Sequence, residues 1–136
     1  MAEIVVDAGR WPLVVVRYPP AFSDEEWSAH GDELDGLFAR RAQFLLLSDA
    51  SRIVSPPSAK QRRYAAQRVG ARRDDWRRHC RGVAFVTPSP MVRGIMIAIN
   101  WAAPPPFDQR VFATLEEAEA WLETLGGAGA IPHSHG

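Results

Sequence analysis

Apolar residues along this chain change their spacing in a definite order. Two short Val/Ile/Leu runs come first, and segments of helical period then alternate with further short runs as far as Arg110-Val-Phe-Ala-Thr-Leu-Glu-Glu-Ala-Glu-Ala-Trp-Leu-Glu. Alternating or continuous apolar runs suit strands, and a period near 3.6 suits one face of a helix. The order therefore reads ββαβαβαβα over about 125 residues. Strands alternating with helices build an α/β layer fold, because each helix needs a sheet face on which to bury its stripe. A chain of 136 residues, 46% apolar and 24% charged, suits one core rather than two.

The first strands are expected at Glu3 to Asp7 and Leu13 to Arg17, joined by the turn-forming stretch Ala8 to Pro12. Phe44 to Leu47 and Val83 to Val86 are continuous apolar runs, the mark of central strands covered on both faces. Arg110 to Phe112 is the last strand candidate. The first helix opens with the capping box Ser23-Asp24-Glu25-Glu26 and places Trp27, Leu34, Leu37 and Phe38 on one face. The second starts at Ser55-Pro56-Pro57-Ser58, carries the narrow stripe Tyr64, Ala65 and Val69, and is expected to end at Gly70. Ser89-Pro90 opens the third, with Met91, Val92, Ile95, Met96 and Ile99 as a broad apolar face stopped by Pro104-Pro105-Pro106. The fourth repeats a capping box at Thr114-Leu115-Glu116-Glu117, buries Ala118, Trp121, Leu122 and Leu125, and ends at Gly126. One domain is expected over residues 1–126, with 127–136 as a flexible tail.

Composition narrows the function classes. Charge balances to zero, which argues against a nucleic-acid binder held by overall charge. Cys80 is the single cysteine, so an internal disulfide is ruled out and a reducing compartment is expected. The N-terminus carries acids where a signal peptide carries bases, and no apolar run reaches the roughly 20 residues of a membrane span. A cytoplasmic location follows as the expectation.

The element order, the strand-end aspartate in Leu45-Leu46-Leu47-Ser48-Asp49, and Arg110-Val-Phe followed by Glu116-Glu117-Ala118-Glu119-Ala120-Trp121-Leu122 carry a family resemblance. From about Glu3 to Leu125 the chain resembles the STAS-like proteins related to SpoIIAA, the anti-sigma-factor antagonist. The resemblance implies a mixed sheet of four or five strands with helices mainly on one side. It also implies a cytoplasmic module that works by binding rather than by catalysis, on a protein partner such as a kinase or regulator; neither a cofactor nor a metal is expected. In that family a serine at the start of the second helix is phosphorylated in an Asp-Ser-x-Gly setting, which abolishes a complex. The matching loop here, Asp49 to Ser58, holds Ser51, Ser55 and Ser58 but no Asp-Ser-x-Gly. One of these serines is the switch position under the resemblance, since phosphate at a helix N-terminus meets free N–H groups and the positive end of the dipole. Helix capping alone also accounts for Ser55 or Ser58. The same loop, with Asp49 at a strand's C-terminal end and arginines nearby, is the anion or small-molecule site of an alternative, ligand-binding reading.

Between Lys60 and Arg81 nine basic residues face only Asp74 and Asp75, while acids crowd the first and fourth helices. Arg72, Arg73, Arg77 and Arg78 are the candidate basic interaction surface. The competing reading is a solvated face paired to acids of the same chain. Trp76 among them either stacks on a base or anchors a loop to the core. Catalytic patterns are thin: His30 near Asp32 and Glu33 reads as a surface histidine, and His79-Cys80 lacks the surroundings of a nucleophile. His133 and His135 lie in the expected tail without partner acids. Finally, the third helix with Met91, Met96, Trp101 and Pro104 to Phe107 is more apolar than one sheet face requires. Such a helix is either deeply buried or a partner or homodimer surface.

Overall fold

The computed structural model describes residues 3–54 and 56–126. Its elements run β1 (Val5–Arg10), β2 (Leu13–Arg17), α1 (Asp24–Gly36) with a 3-10 turn Leu37–Arg40, β3 (Phe44–Asp49), α2 (Ala59–Ala71), α3 (Arg73–His79), β4 (Cys80–Val86), α4 (Pro90–Ala102), β5 (Gln109–Phe112) and α5 (Leu115–Gly126). The five strands lie side by side in chain order. β1 pairs antiparallel with β2, and β2, β3, β4 and β5 pair parallel, so the sheet is mixed with β3 at its centre.

The continuous apolar runs are explained by two buried faces. Side chains alternate across a strand. Val14, Val16, Leu46, Val83 and Phe85 join a cluster with Leu37, Phe38, Trp76 and Val92 on one face. Leu13, Val15, Leu45, Leu47, Ala84 and Val86 join Ala118 and Leu122 of α5 on the other. One helix thus covers the second face, and the remaining helices sit on the first. Gly82, on the α5 side, lets that helix come close: a Cβ there would collide with a Leu125 methyl.

Local chemistry sets the helix starts. Ser23 and Glu26 form the reciprocal capping box of α1. Ser89 accepts from the Val92 N–H with Pro90 in the first turn of α4. Thr114 accepts from the Glu117 N–H, and its hydroxyl donates to the Glu117 carboxylate.

Several expectations are corrected. Ala8 to Arg10 continue β1 instead of forming the turn, because Arg10 pairs with Leu13 and leaves only Trp11-Pro12, joined by a cis peptide bond, between the strands. α2 begins at Ala59, past both prolines, since Ser58 and Gln61 supply the reciprocal cap while proline disfavours helical backbone in the residue before it. Gly70 lies inside α2, which runs to Ala71 before a bend at Arg72. The expected third and fourth helices are α4 and α5, because an unforeseen α3 occupies Arg73–His79. Seven residues burying a single side chain, Trp76, offer no periodic stripe to read.

Candidate functional site

The β3–α2 connection leaves the sheet at its C-terminal edge, where the Tyr18 N–H donates to the Asp49 carbonyl and the Ala50 N–H to that of Val86. The Asp49 carboxylate is engaged locally: one oxygen accepts from the Ser51 N–H at 3.1 Å and from its hydroxyl at 2.6 Å. That is an Asx turn, and it makes Asp49 a loop former. Ser55 lies outside the described residues, as do His133 and His135. Ser58 is exposed and caps α2, its oxygen accepting from the Gln61 N–H at 3.1 Å. The first turn of α2 holds no acid. Lys60 reaches Asp24 of α1 at 3.1 Å, and Arg62 folds back to donate to the Pro57 carbonyl at 2.7 Å.

The basic segment is divided by the fold. Arg68 bridges to Asp32 at 2.8 Å and Asp35 at 2.5 Å and donates to the Tyr64 hydroxyl, tying α2 to α1. Those contacts hold the Arg68 guanidinium charged still more firmly and lower the Tyr64 pKa through the Ser28 and Arg68 hydrogen bonds. Of the four candidate surface arginines, Arg72 pairs with Asp75 at 2.8 Å and lies over the Phe38 ring, and Arg77 reaches Asp74 only at 3.8 Å. Arg73 and Arg78 make no ion pair among the described residues. Trp76 is buried against Phe38, Phe44 and Phe107, which rules out base stacking and confirms it as an anchor, on a helix instead of a loop.

The third predicted helix departs from core burial. In α4 only Val92 is buried, while Met91 is 68%, Ile97 56% and Trp101 87% exposed. Apolar side chains of that size in open water on one helix are uncommon unless something covers them.

Between α2 and α4 lies an apolar cleft of about 400 Å³. Leu46 and Ser48 of β3 and Val83 and Phe85 of β4 floor it. α1 contributes Trp27, His30 and Leu34, α2 contributes Tyr64, Ala65 and Val69, and α4 contributes Met96 and Ile99. Trp76 and the Pro104–Phe107 segment close one end. The cleft exists because α2 buries no residue of its own and stands against α1 and α3, leaving the sheet beneath it partly uncovered. Its size falls in the range of small-molecule sites.

A directed chain of polar groups sits inside. His30 Nδ1 is 2.6 Å from the Trp27 carbonyl, which can only accept, so Nδ1 carries the proton in the neutral ring. The Tyr18 hydroxyl, 3.4 Å from Nε2, then donates to it. Burial raises the Tyr18 pKa to about 12 against an opposing hydrogen bond from Ser48. Burial likewise lowers the His30 pKa, helped by the Arg68 charge and opposed by the Trp27 hydrogen bond. His30 is therefore a core histidine, correcting its reading as a surface residue. The chain ends on a carbonyl, not on the carboxylate that orients a catalytic base in a triad. Cys80 is buried, and its thiol pKa is pushed up to about 12. Among the described residues no group of three His, Cys, Asp or Glu converges on a metal position. Nor does any described helix have the length and apolarity to cross a membrane.

Tyr18, Ser48 and the orphaned indole N–H of Trp76 escaped the sequence reading because nothing local marks them. The one available signal for the cleft was the narrow stripe of α2, too thin to seal a sheet face. A family model described as SpoIIAA-like matches residues 13–123, spanning β2 to α5 and so every element that frames the cleft. No curated protein matches the chain.

Proposed function

Because the chain belongs to the SpoIIAA-like family, whose members are regulators acting through protein contacts and generally lack enzymatic activity, we propose that it is a non-enzymatic regulatory module switched at the start of α2. The observation that carries the binding part is the outer face of α4, where Met91, Ile97 and Trp101 are exposed together. Large aromatic and aliphatic side chains in such a position are the usual anchors of protein contacts. The partner is a kinase or regulator, the class the family implies, and the setting is cytoplasmic.

Ser58 supports the switch. α1 and α5 place acids in their first turns, where a second anion is repelled; α2 places Lys60 and Arg62 there. A phosphate on Ser58 adds between one and two negative charges beside free N–H groups, with Arg62 already folded over the adjacent carbonyl. Ser58 is an exposed residue, as a kinase requires. By contrast, the anion-binding alternative through Asp49 loses support, since the loop presents a carboxylate that Ser51 already engages.

Protein isolated from its native cells should carry phosphate on Ser58 in part of the population. Its partner should be retained by Ser58→Ala, released by Ser58→Asp, and released by Ile97→Gln combined with Trp101→Gln. No phosphate between Ser51 and Ser58 in any growth state, with equal retention by both Ser58 variants, removes the switch. Retention by the α4 double variant moves the contact elsewhere.

A further inference from the structure

We propose that the edge of the sheet where the parallel strands begin binds the phosphate backbone of a single-stranded nucleic acid through Arg41, Arg77, Arg78 and Arg81. This goes beyond the regulatory reading and rests on none of its residues.

Because β2, β3, β4 and β5 run parallel, their first residues share one edge. Arg40 and Arg41 stand just before β3, Arg77 and Arg78 lie in the last turn of α3 just before β4, and Arg81 is the second residue of β4. The fold closes the long gap in the chain between the two groups: Phe44 pairs with Cys80, and the Gln43 side-chain amide donates to the Arg78 carbonyl at 3.5 Å. All five arginines are exposed.

Irregular backbone sets two of them in place. Arg41 has a φ of 52°, a left-handed conformation that glycine enters with less strain. Arg81 is the extra residue of a bulge, since Phe44 faces Cys80 and Leu45 faces Gly82. A bulge re-aims its side chain, and Arg81 is the one exposed residue of β4. Among the described residues Arg41, Arg78 and Arg81 make no ion pair, Arg77 reaches Asp74 only at 3.8 Å, and Arg40 lies over the Trp11 ring at 4.4 Å. Asp74 and Asp108 border the row and leave it positive. Cations in a last helical turn offset the helix dipole, which accounts for Arg77 and Arg78 but not for Arg81 on a strand.

The chemistry selects phosphates over a protein partner. A guanidinium matches a phosphate with two parallel hydrogen bonds. A protein contact needs an apolar centre with few charges, and none of the exposed large apolar residues belongs to segments 40–43 or 77–81. Zero net charge excludes capture by the field of the whole molecule and leaves a local row intact. Two strand spacings cover about 10 Å. A flexible single strand lays about three phosphates on that length, at about 3.4 Å each.

The test follows the anisotropy of a fluorescein-labelled oligouridylate of about 20 nucleotides titrated with the full chain. Four phosphate contacts at about 0.7 each give a slope of about −3 in log K against log salt, so affinity should fall about sixtyfold between 50 and 200 mM. Arg41→Gln with Arg78→Gln should halve that slope and weaken binding about tenfold at 50 mM. Arg77→Gln with Arg81→Gln should do the same, which keeps the reasoning testable if Arg41→Gln disturbs its turn. The matched pair Arg52→Gln with Arg63→Gln, exposed residues that follow the opposite end of β3, should change neither quantity. No saturable binding at 50 mM, a flat salt response, or equal loss in the matched pair overturns the proposal. Polyglutamate of equal length competing as well as unlabelled oligouridylate overturns the choice of phosphate. Tighter binding to phosphatidylserine vesicles, with the same arginine dependence, overturns the choice of nucleic acid.

Discussion

Leu122 is fully buried on the one helix that covers the second sheet face, so truncating it tests the two-faced architecture directly. Leu122→Ala removes three carbons, worth about 2.4 kcal/mol at about 0.8 kcal/mol for each buried group. The cavity left among Leu13, Val15, Leu45, Leu47, Ala84 and Val86 adds to that, since strands fixed by their ladders collapse only partly. A total of about 3–4 kcal/mol is expected, within the measured span for buried leucines. That is a large share of the roughly 5–15 kcal/mol that holds a domain together. Leu115→Ala, on the same helix with 38% exposure, is the matched control and should cost about 1 kcal/mol or less. Urea melts followed by tryptophan fluorescence measure both. The midpoint should fall with unchanged slope, because the surface exposed on unfolding stays the same. If Leu122→Ala costs no more than Leu115→Ala, α5 does not seal the second face.

Three further outcomes follow from the site. His30 has a folded-state pKa below its unfolded 6.5, so its neutral form contributes stability that is complete above pH 6.5 and lost as pH falls toward the folded value. Its share of the slope is at most about 1.4 kcal/mol per pH unit, and His30→Gln should flatten urea midpoints measured between pH 5 and 7; an unaltered profile refutes the assignment. Arg68→Gln should loosen α2 from α1, lowering stability by about 1–2 kcal/mol for this partly buried network. Hydrogen exchange should quicken in both helices and not in β3 or β4; uniform quickening across the sheet contradicts the local tie. Cys80, buried with its thiol pKa at about 12, should resist a thiol reagent at pH 8 until urea unfolds the protein, and prompt labelling of the native state counts against its burial.

Much of this fold is written in short-range pattern. Phe44 to Leu47 and Val83 to Val86 announced central strands because both of their faces must be dry, and they pair in parallel at the middle of the sheet. Ser23 with Glu26 and Ser89 with Pro90 announced helix starts because a cap is settled within four residues. The basic segment was visible as composition, but its partition was not. Arg68 faces two acids of α1 that lie more than thirty residues away in the chain, whereas Arg73 pairs with none among the described residues. The apolar excess of α4 was equally plain, yet spacing cannot tell a helix sandwiched on all sides from one that leaves Trp101 in water.

Sequence by itself determined the five strands, four of the five helices, their order, the two-sided burial of the middle strands and the family to which they belong, whereas α3, with one buried side chain and no stripe, went unmarked. Tertiary structure decided where the sheet would be left uncovered. The cleft arises from the distance between α2 and α4, which no local pattern encodes. It is set by Arg68 holding α2 against α1, by Trp76 anchoring α3, and by the small area that a helix without buried side chains can cover. His30 and Tyr18 acquire their proton arrangement only there, because a carbonyl on one side and a buried hydroxyl on the other leave the ring a single tautomer.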